Sequence, residues 1–217
     1  MTKDPKYYEP KEEKLNVFTH AIGLILSIIA FFLLINYASD RGSVWHISSF
    51  AIFGASLIVL YSASTAYHYV KQPGLRTKLN ILDHAAIYVL IAGTYTPFCL
   101  TVLPKRIGWT LFIVSWTIAL VGIVFKLFYT GKYDKISTIA YVLMGWIVIF
   151  AIKPLIENLP LKGVIWLFAG GLFYTIGAIL YSMKALRFNH AIFHVFVLLG
   201  SFCHFMSIFF YVLPEKH

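Results

Sequence analysis

Charge is scarce in this sequence. Only 12% of its 217 residues are Asp, Glu, Lys or Arg, where a soluble domain carries about 25%. Hydrophobic residues make up 59%, more apolar surface than a soluble fold of this size can hide, so the bilayer is the solvent this composition fits. Acids are scarcer than bases, nine against eighteen, for a net charge of +9. The bases stand singly at the ends of apolar runs, which is the positive-inside pattern and argues against a nucleic-acid partner. Cysteine is nearly absent. Cys99 and Cys203 both lie in apolar segments and no CxxC pair occurs, which argues against a disulfide framework and a cysteine zinc motif. The leading MTKDPKYYEPKEEK is polar and mixed in charge, unlike a cleavable signal peptide, so the first apolar segment is expected to be a retained helix.

What is present is a series of long apolar runs. Seven spans are expected, at Leu15–Ala38, His46–Val70, Leu79–Leu103, Gly108–Tyr129, Ile136–Ile152, Lys162–Lys184 and His190–Leu213. Each is near the ~20 residues that cross a hydrocarbon core as a helix, and Pro, Gly or charge marks every break. A transmembrane barrel would alternate apolar and polar residues; these runs are continuous. The reading is an all-α integral membrane protein, a seven-transmembrane-helix bundle over residues 15–213 preceded by a cytoplasmic tail at 1–14. With the N-terminus inside, twelve of the eighteen Lys and Arg, from Lys3 to Arg187, fall on the inner side and six, including Lys216, on the outer. That bias predicts a cytoplasmic N-terminus and an external C-terminus. Lys126, near the inner end of the fourth span, is expected to snorkel to the interface.

Ionisable residues inside spans are costly and each asks for a reason. They are His20, His68, Asp83, His84, His190, His194 and His204. In this topology all but His204 fall near the inner face. His190 and His194 are spaced i, i+4, which puts both imidazoles on one helix face, the spacing of paired metal ligands. A third imidazole would give three nitrogen ligands and leave a fourth position for water, the open arrangement of a catalytic zinc site. His68 is the best third ligand, because Ser64 one turn before it brings a hydroxyl to the site. Asp83 would orient or deprotonate the water. The plainer readings are a helix N-cap for Asp83, a back-bonded hydroxyl for Ser64, an aromatic belt for Tyr61 to Tyr67, and packing for His46, His204 and His217.

Taken together these motifs resemble the hemolysin III branch of the progestin and adipoQ receptor family, which includes the adiponectin receptors. Glu13, Asn16 and His20 match the acidic–Asn–His motif entering the first helix. Ser64 and His68 match SxxxH in the second, with Asp83 at the start of the third, and His190 and His194 match HxxxH in the seventh. The resemblance spans Glu13 to the last helix. It implies seven helices, a cytoplasmic N-terminus, and zinc held by His68, His190 and His194 with a water facing Asp83. Short loops and a short tail argue against a protein-hormone receptor, and the compact form fits a bacterial cell membrane. Three functions are expected in turn: a zinc-dependent hydrolase of lipid amides or esters, with Asp83 as base and Ser64 in support; a lipid-state sensor with structural zinc; and a hemolytic pore. No polar stripe crosses any span, which argues against the pore. A retinal protein is set aside because the seventh span has no central lysine.

Overall fold

The computed structural model describes residues 6–213, and among them seven helical segments are long and apolar enough to cross a membrane. The protein is an all-α integral membrane protein, with no strand among the described residues. Lys3, Lys216 and His217 lie outside the described residues.

The first helix, α1 (Pro10–Arg41), starts five residues before the expected Leu15. Pro10 occupies its first turn, Glu12 and Glu13 sit at its positive end and Arg41 at its negative end, so the local chemistry favours a helix there. At 32 residues it is about 48 Å long, well beyond a hydrocarbon core of about 30 Å. Helix α2 (Val44–Tyr69) follows after a tight link. Helix α3 (Pro73–Pro97) begins six residues before the expected Leu79 and continues as a π turn at Phe98–Val102. Asp83 therefore lies inside a helix, not at its start, and the N-cap reading is overturned by the observed boundary.

Helix α4 (Lys105–Tyr129) packs outside α3, where a Cβ on Gly122 would fall 2.4 Å from the Tyr88 ring. Its Lys126 does not snorkel. The side chain is fully buried, and its ammonium has no hydrogen-bond partner among the described residues and faces the Tyr141 ring at 5.9 Å. The fifth span was expected at Ile136–Ile152 and is longer and broken. It comprises α5 (Asp134–Gly145), a 3₁₀ turn (Ile147–Ala151) and α6 (Ile152–Asn158), with Pro154 in the first turn of α6, where its missing N–H is tolerated. Tyr95 of α3 supplies what the break removes. Its hydroxyl lies 2.7 Å from the Gly145 carbonyl and 3.0 Å from that of Met144, and accepts from the Val148 N–H at 3.1 Å.

Helices α7 (Leu161–Ser182) and α8 (Asn189–Tyr211) complete the bundle. They lie very close, since a Cβ on Gly170 would meet His204 at 2.2 Å. In section, α3, α2, α1, α8 and α7 neighbour one another in that order, and α5 stands between α7 and α3 to close a ring. Cys99 and Cys203 are buried free thiols.

Candidate metal centre

The polar residues expected near one face do converge at the end of the bundle where α1 begins. His68 lies in the last turn of α2, and His190 and His194 on the first two turns of α8. All three are buried, and together they form a group able to hold a metal ion. Nε2 of His190 is 3.0 Å from Nε2 of His68 and 3.0 Å from Nε2 of His194. Three nitrogens at about 2.0–2.1 Å from a tetrahedral zinc would stand about 3.3 Å apart, close to what is seen.

The outer atoms of the rings fix which nitrogens are free. Nδ1 of His68 is 2.7 Å from Oε2 of Glu13. A carboxylate oxygen only accepts, so Nδ1 carries the proton and Nε2 a lone pair; Asn16 Nδ2 is a longer contact at 3.4 Å. Nδ1 of His194 lies 3.3 Å from the Asn16 carbonyl and 3.3 Å from Thr19 Oγ1. The Thr19 hydroxyl already donates to the Leu15 carbonyl at 2.8 Å, so it accepts from His194. His194 Nε2 is therefore a lone pair too. A single proton on His190 Nε2 satisfies one of these two neighbours, never both. The donor set fits a cation, which accepts all three lone pairs at once.

Helix α1 supplies the supporting shell. Besides Glu13, Asn16 and Thr19, it brings Glu12, whose Oε1 accepts from the His190 N–H at 3.1 Å and places a carboxylate at the positive end of α8. His20 is buried, stacks on His194 at 3.5 Å with the rings 8° apart, and leaves both ring nitrogens without a partner among the described residues. Residues ahead of α1 cross the site. The Tyr8 ring stacks on His190 at 4.5 Å, and burial, followed by the nearby Tyr181 phenol, pushes the Tyr8 hydroxyl well above its ordinary pKa. Tyr8 is thus a neutral donor at any physiological pH.

A cavity of about 350 Å³ opens beside the imidazoles. Its polar end is lined by Ser64, Asp83, His84, His190 and His194, and its far end by Leu103, Leu111, Phe98 and His204. From His190 to His204 along α8 is about 21 Å at the helical rise. The sequence placed Ser64 and Asp83 with the histidines. The structure puts them on the same cavity wall, with no direct hydrogen bond to the three imidazoles among the described residues. His46 and His204 are packing residues as expected: His46 closes on Ser43 at the start of α2, and His204 meets the Leu167 carbonyl at 3.1 Å.

Sequence reasoning missed Glu12, Tyr8 and Arg76. Glu12, Asn16 and His20 repeat at i, i+4, i+8 on the face of α1 that is buried, a polar stripe in an apolar helix that would have found Glu12. Arg76 was counted only as a positive-inside charge, yet it is 1% exposed. Nothing in its sequence context distinguishes it from an interfacial base.

Comparison with known proteins places the chain among relatives. Residues 8–205 match the family described as Haemolysin-III related. The chain is 49% identical over 204 residues to Hemolysin-3 of Bacillus cereus, covering 94% of this chain and 93% of that one. It is 48% identical over 201 residues to the Hemolysin-3 homolog of Bacillus subtilis (strain 168), with 93% and 94% covered. Similarity extends to the human monocyte to macrophage differentiation factor, 28% identical over 217 residues with 94% and 87% covered.

Proposed function

The chain belongs to the haemolysin-III-related family, and from that premise we propose that it is a zinc-dependent hydrolase of lipid amides or esters, resident in the cell membrane with its N-terminus and metal centre at the cytoplasmic face. The observation that carries the reading is three convergent imidazoles, two of which, His190 and His194, line a cavity with one polar end and a long apolar remainder. A cavity of that form suits a lipid whose scissile carbonyl sits among Ser64, Asp83 and the imidazoles while its acyl chain runs towards His204.

His68, His190 and His194 would hold the zinc, with Glu13, Asn16 and Thr19 fixing the tautomers of two of them. Zinc bound there would supply Lewis acidity to a carbonyl and a lowered pKa to water. Asp83 takes up the proton of the attacking water and returns it to the leaving amine or alcohol. Ser64 holds the polar end of the substrate through its hydroxyl. The apolar wall excludes bulk water and sets the depth at which the carbonyl stops.

The test uses protein purified without chelators or nickel. One equivalent of zinc is expected, together with turnover of some member of a broad panel of lipid amides and esters. Asp83→Asn should keep the metal and lose turnover by 10²-fold or more, in line with loss of a general base, worth about 10²–10⁴. A zinc-loaded protein inert towards the whole panel would sink the reading.

The second reading is a regulator in which zinc is structural. It is favoured by one observation: ligands and supporting residues tie α1, α2 and α8 together across 122 and 178 positions of sequence. Under it, His194→Ala lowers thermal stability and Asp83→Asn changes nothing. Lysis, which the relatives' name brings to mind, is read by leakage from calcein-loaded liposomes; none is expected, since the polar groups of the site gather at one end of the bundle.

A further inference from the structure

Arg76 stands outside the expected site, in the first turn of α3, and is buried. One arm of its guanidinium, Nη1, donates to the carbonyls of Tyr67 and Val70, each at 3.0 Å, with the His68 carbonyl at 3.5 Å. These are the carbonyls of the last turn of α2 and of Val70, which caps it, the backbone on which His68 is mounted, and they have no partner within the helix. The other arm, Nη2, donates to the Lys6 carbonyl at 2.9 Å and pairs with Oε1 of Glu13. Oε2 of the same carboxylate accepts a hydrogen bond from His68 Nδ1–H. The rings of Tyr7 and Tyr67 each hold the guanidinium at 4.5 Å.

We propose that Arg76 is a positioning residue for the metal centre, acting through Glu13 on His68 and through the Lys6 carbonyl on the segment that lays Tyr8 across His190. The inference rests on the reading of the three histidines as a metal site and goes beyond it by naming what holds them in place. The guanidinium fixes His68 twice, by its backbone and by the carboxylate that orients its ring. It also fixes the carbonyl of Lys6, two residues before the tyrosine stacked on His190. The four N–H groups of Nη1 and Nη2, held in one plane, do this at once. An ammonium has its three donors on one nitrogen and cannot reach the α2 carbonyls and the Glu13 carboxylate from two separate arms, so lysine is not an equivalent residue here.

The test is zinc affinity, measured on full-length protein in detergent by competition with a chromogenic chelator, well below the melting temperature. Glu13→Gln and Arg76→Gln are each expected to weaken zinc binding by about 10–100-fold, the usual effect of removing a group that orients a metal-bound histidine. Because both act on the same imidazole, the double variant should bind no more than about threefold more weakly than the worse single one. Arg76→Lys should recover less than a tenth of the loss. A purely structural Arg76 would lower the melting temperature and leave the zinc affinity of the folded protein unchanged. That result, or losses that multiply in the double variant, overturns the proposal. Should Arg76→Gln fail to fold, Arg76→Lys and Glu13→Gln give the same decision, and native affinity in either overturns it. Wild type and His194→Ala serve as controls. If wild type binds no zinc, the metal reading itself falls and this inference with it; if only His194→Ala loses zinc, this inference alone falls.

Discussion

At Lys126 an ammonium lies in the interior of a membrane protein with no hydrogen-bond partner among the described residues. Taking a charge out of water costs several kcal/mol, and the acids that act on this one, Asp134 and Asp83, make no hydrogen bond to it among the described residues. Lys126→Met is expected to raise the melting temperature in detergent; a fall would mean that Asp134 and Asp83 more than offset the cost of burying the ammonium. Glu12 gives the opposite case. Its carboxylate accepts from the His190 N–H at the positive end of α8, an arrangement worth about 0.3–1 kcal/mol near a surface and up to about 2 when partly buried. Glu12→Gln should lose stability within that range in chemical unfolding, with the tautomers of His68 and His194 untouched. Spacing in the sequence singled out His190 and His194, and the SxxxH motif with the family resemblance added His68, because i, i+4 pairs and short motifs are visible without coordinates. It did not reveal Arg76, Lys126 or Tyr8. Their roles depend on which elements pack against them, and a base or phenol at the end of an apolar run reads as interfacial until those neighbours are known.

Among the elements, the close approach of α7 to α8 and the break in the fifth span are the most exposed to single substitutions. Gly170→Ala would push a methyl against His204, whose ring is held by the Leu167 carbonyl, and against the Gly200 carbonyl 3.0 Å away. A cost of about 1–3 kcal/mol is expected, as for other overpacked interiors, and a denaturant melt reads it. Tyr95→Phe should leave the Val148 N–H without its acceptor, so amide exchange there should quicken relative to α7 and α8. Seven apolar runs were enough to count the spans correctly, because lipid forces helices and makes them long. Their limits were harder to read. The first and third helices begin before their apolar residues, at Pro10 and Pro73, since proline and charge at a helix start extend it into water. The fifth span was cut short at Pro154 because a proline in the first turn of a new helix looks in sequence like a stop.

For the molecule as a whole, orientation is the open expectation, and buried thiols make it easy to test. Cys99 and Cys203 are inaccessible, so a single exposed cysteine reports without background. Asp40 and Lys132 are exposed at opposite ends of the bundle. With the N-terminus in the cytoplasm, a membrane-impermeant maleimide should label Asp40→Cys in intact cells and Lys132→Cys only after lysis; the reverse pattern would invert the topology. The three-histidine group also joins the two ends of the chain, and this bears on how the protein is made. His68 leaves the ribosome 122 residues ahead of His190, a delay of roughly 6–24 s at about 5–20 residues per second. Through that interval the His68 imidazole has only neighbours from the first three helices and the segment ahead of them, the Glu13 carboxylate among them, and lacks the two imidazoles of the final helix. Under the proposed reading the site is therefore complete only when the final helix arrives, and a chain truncated before Asn189 would insert its earlier helices with one of the three imidazoles and hold no ion.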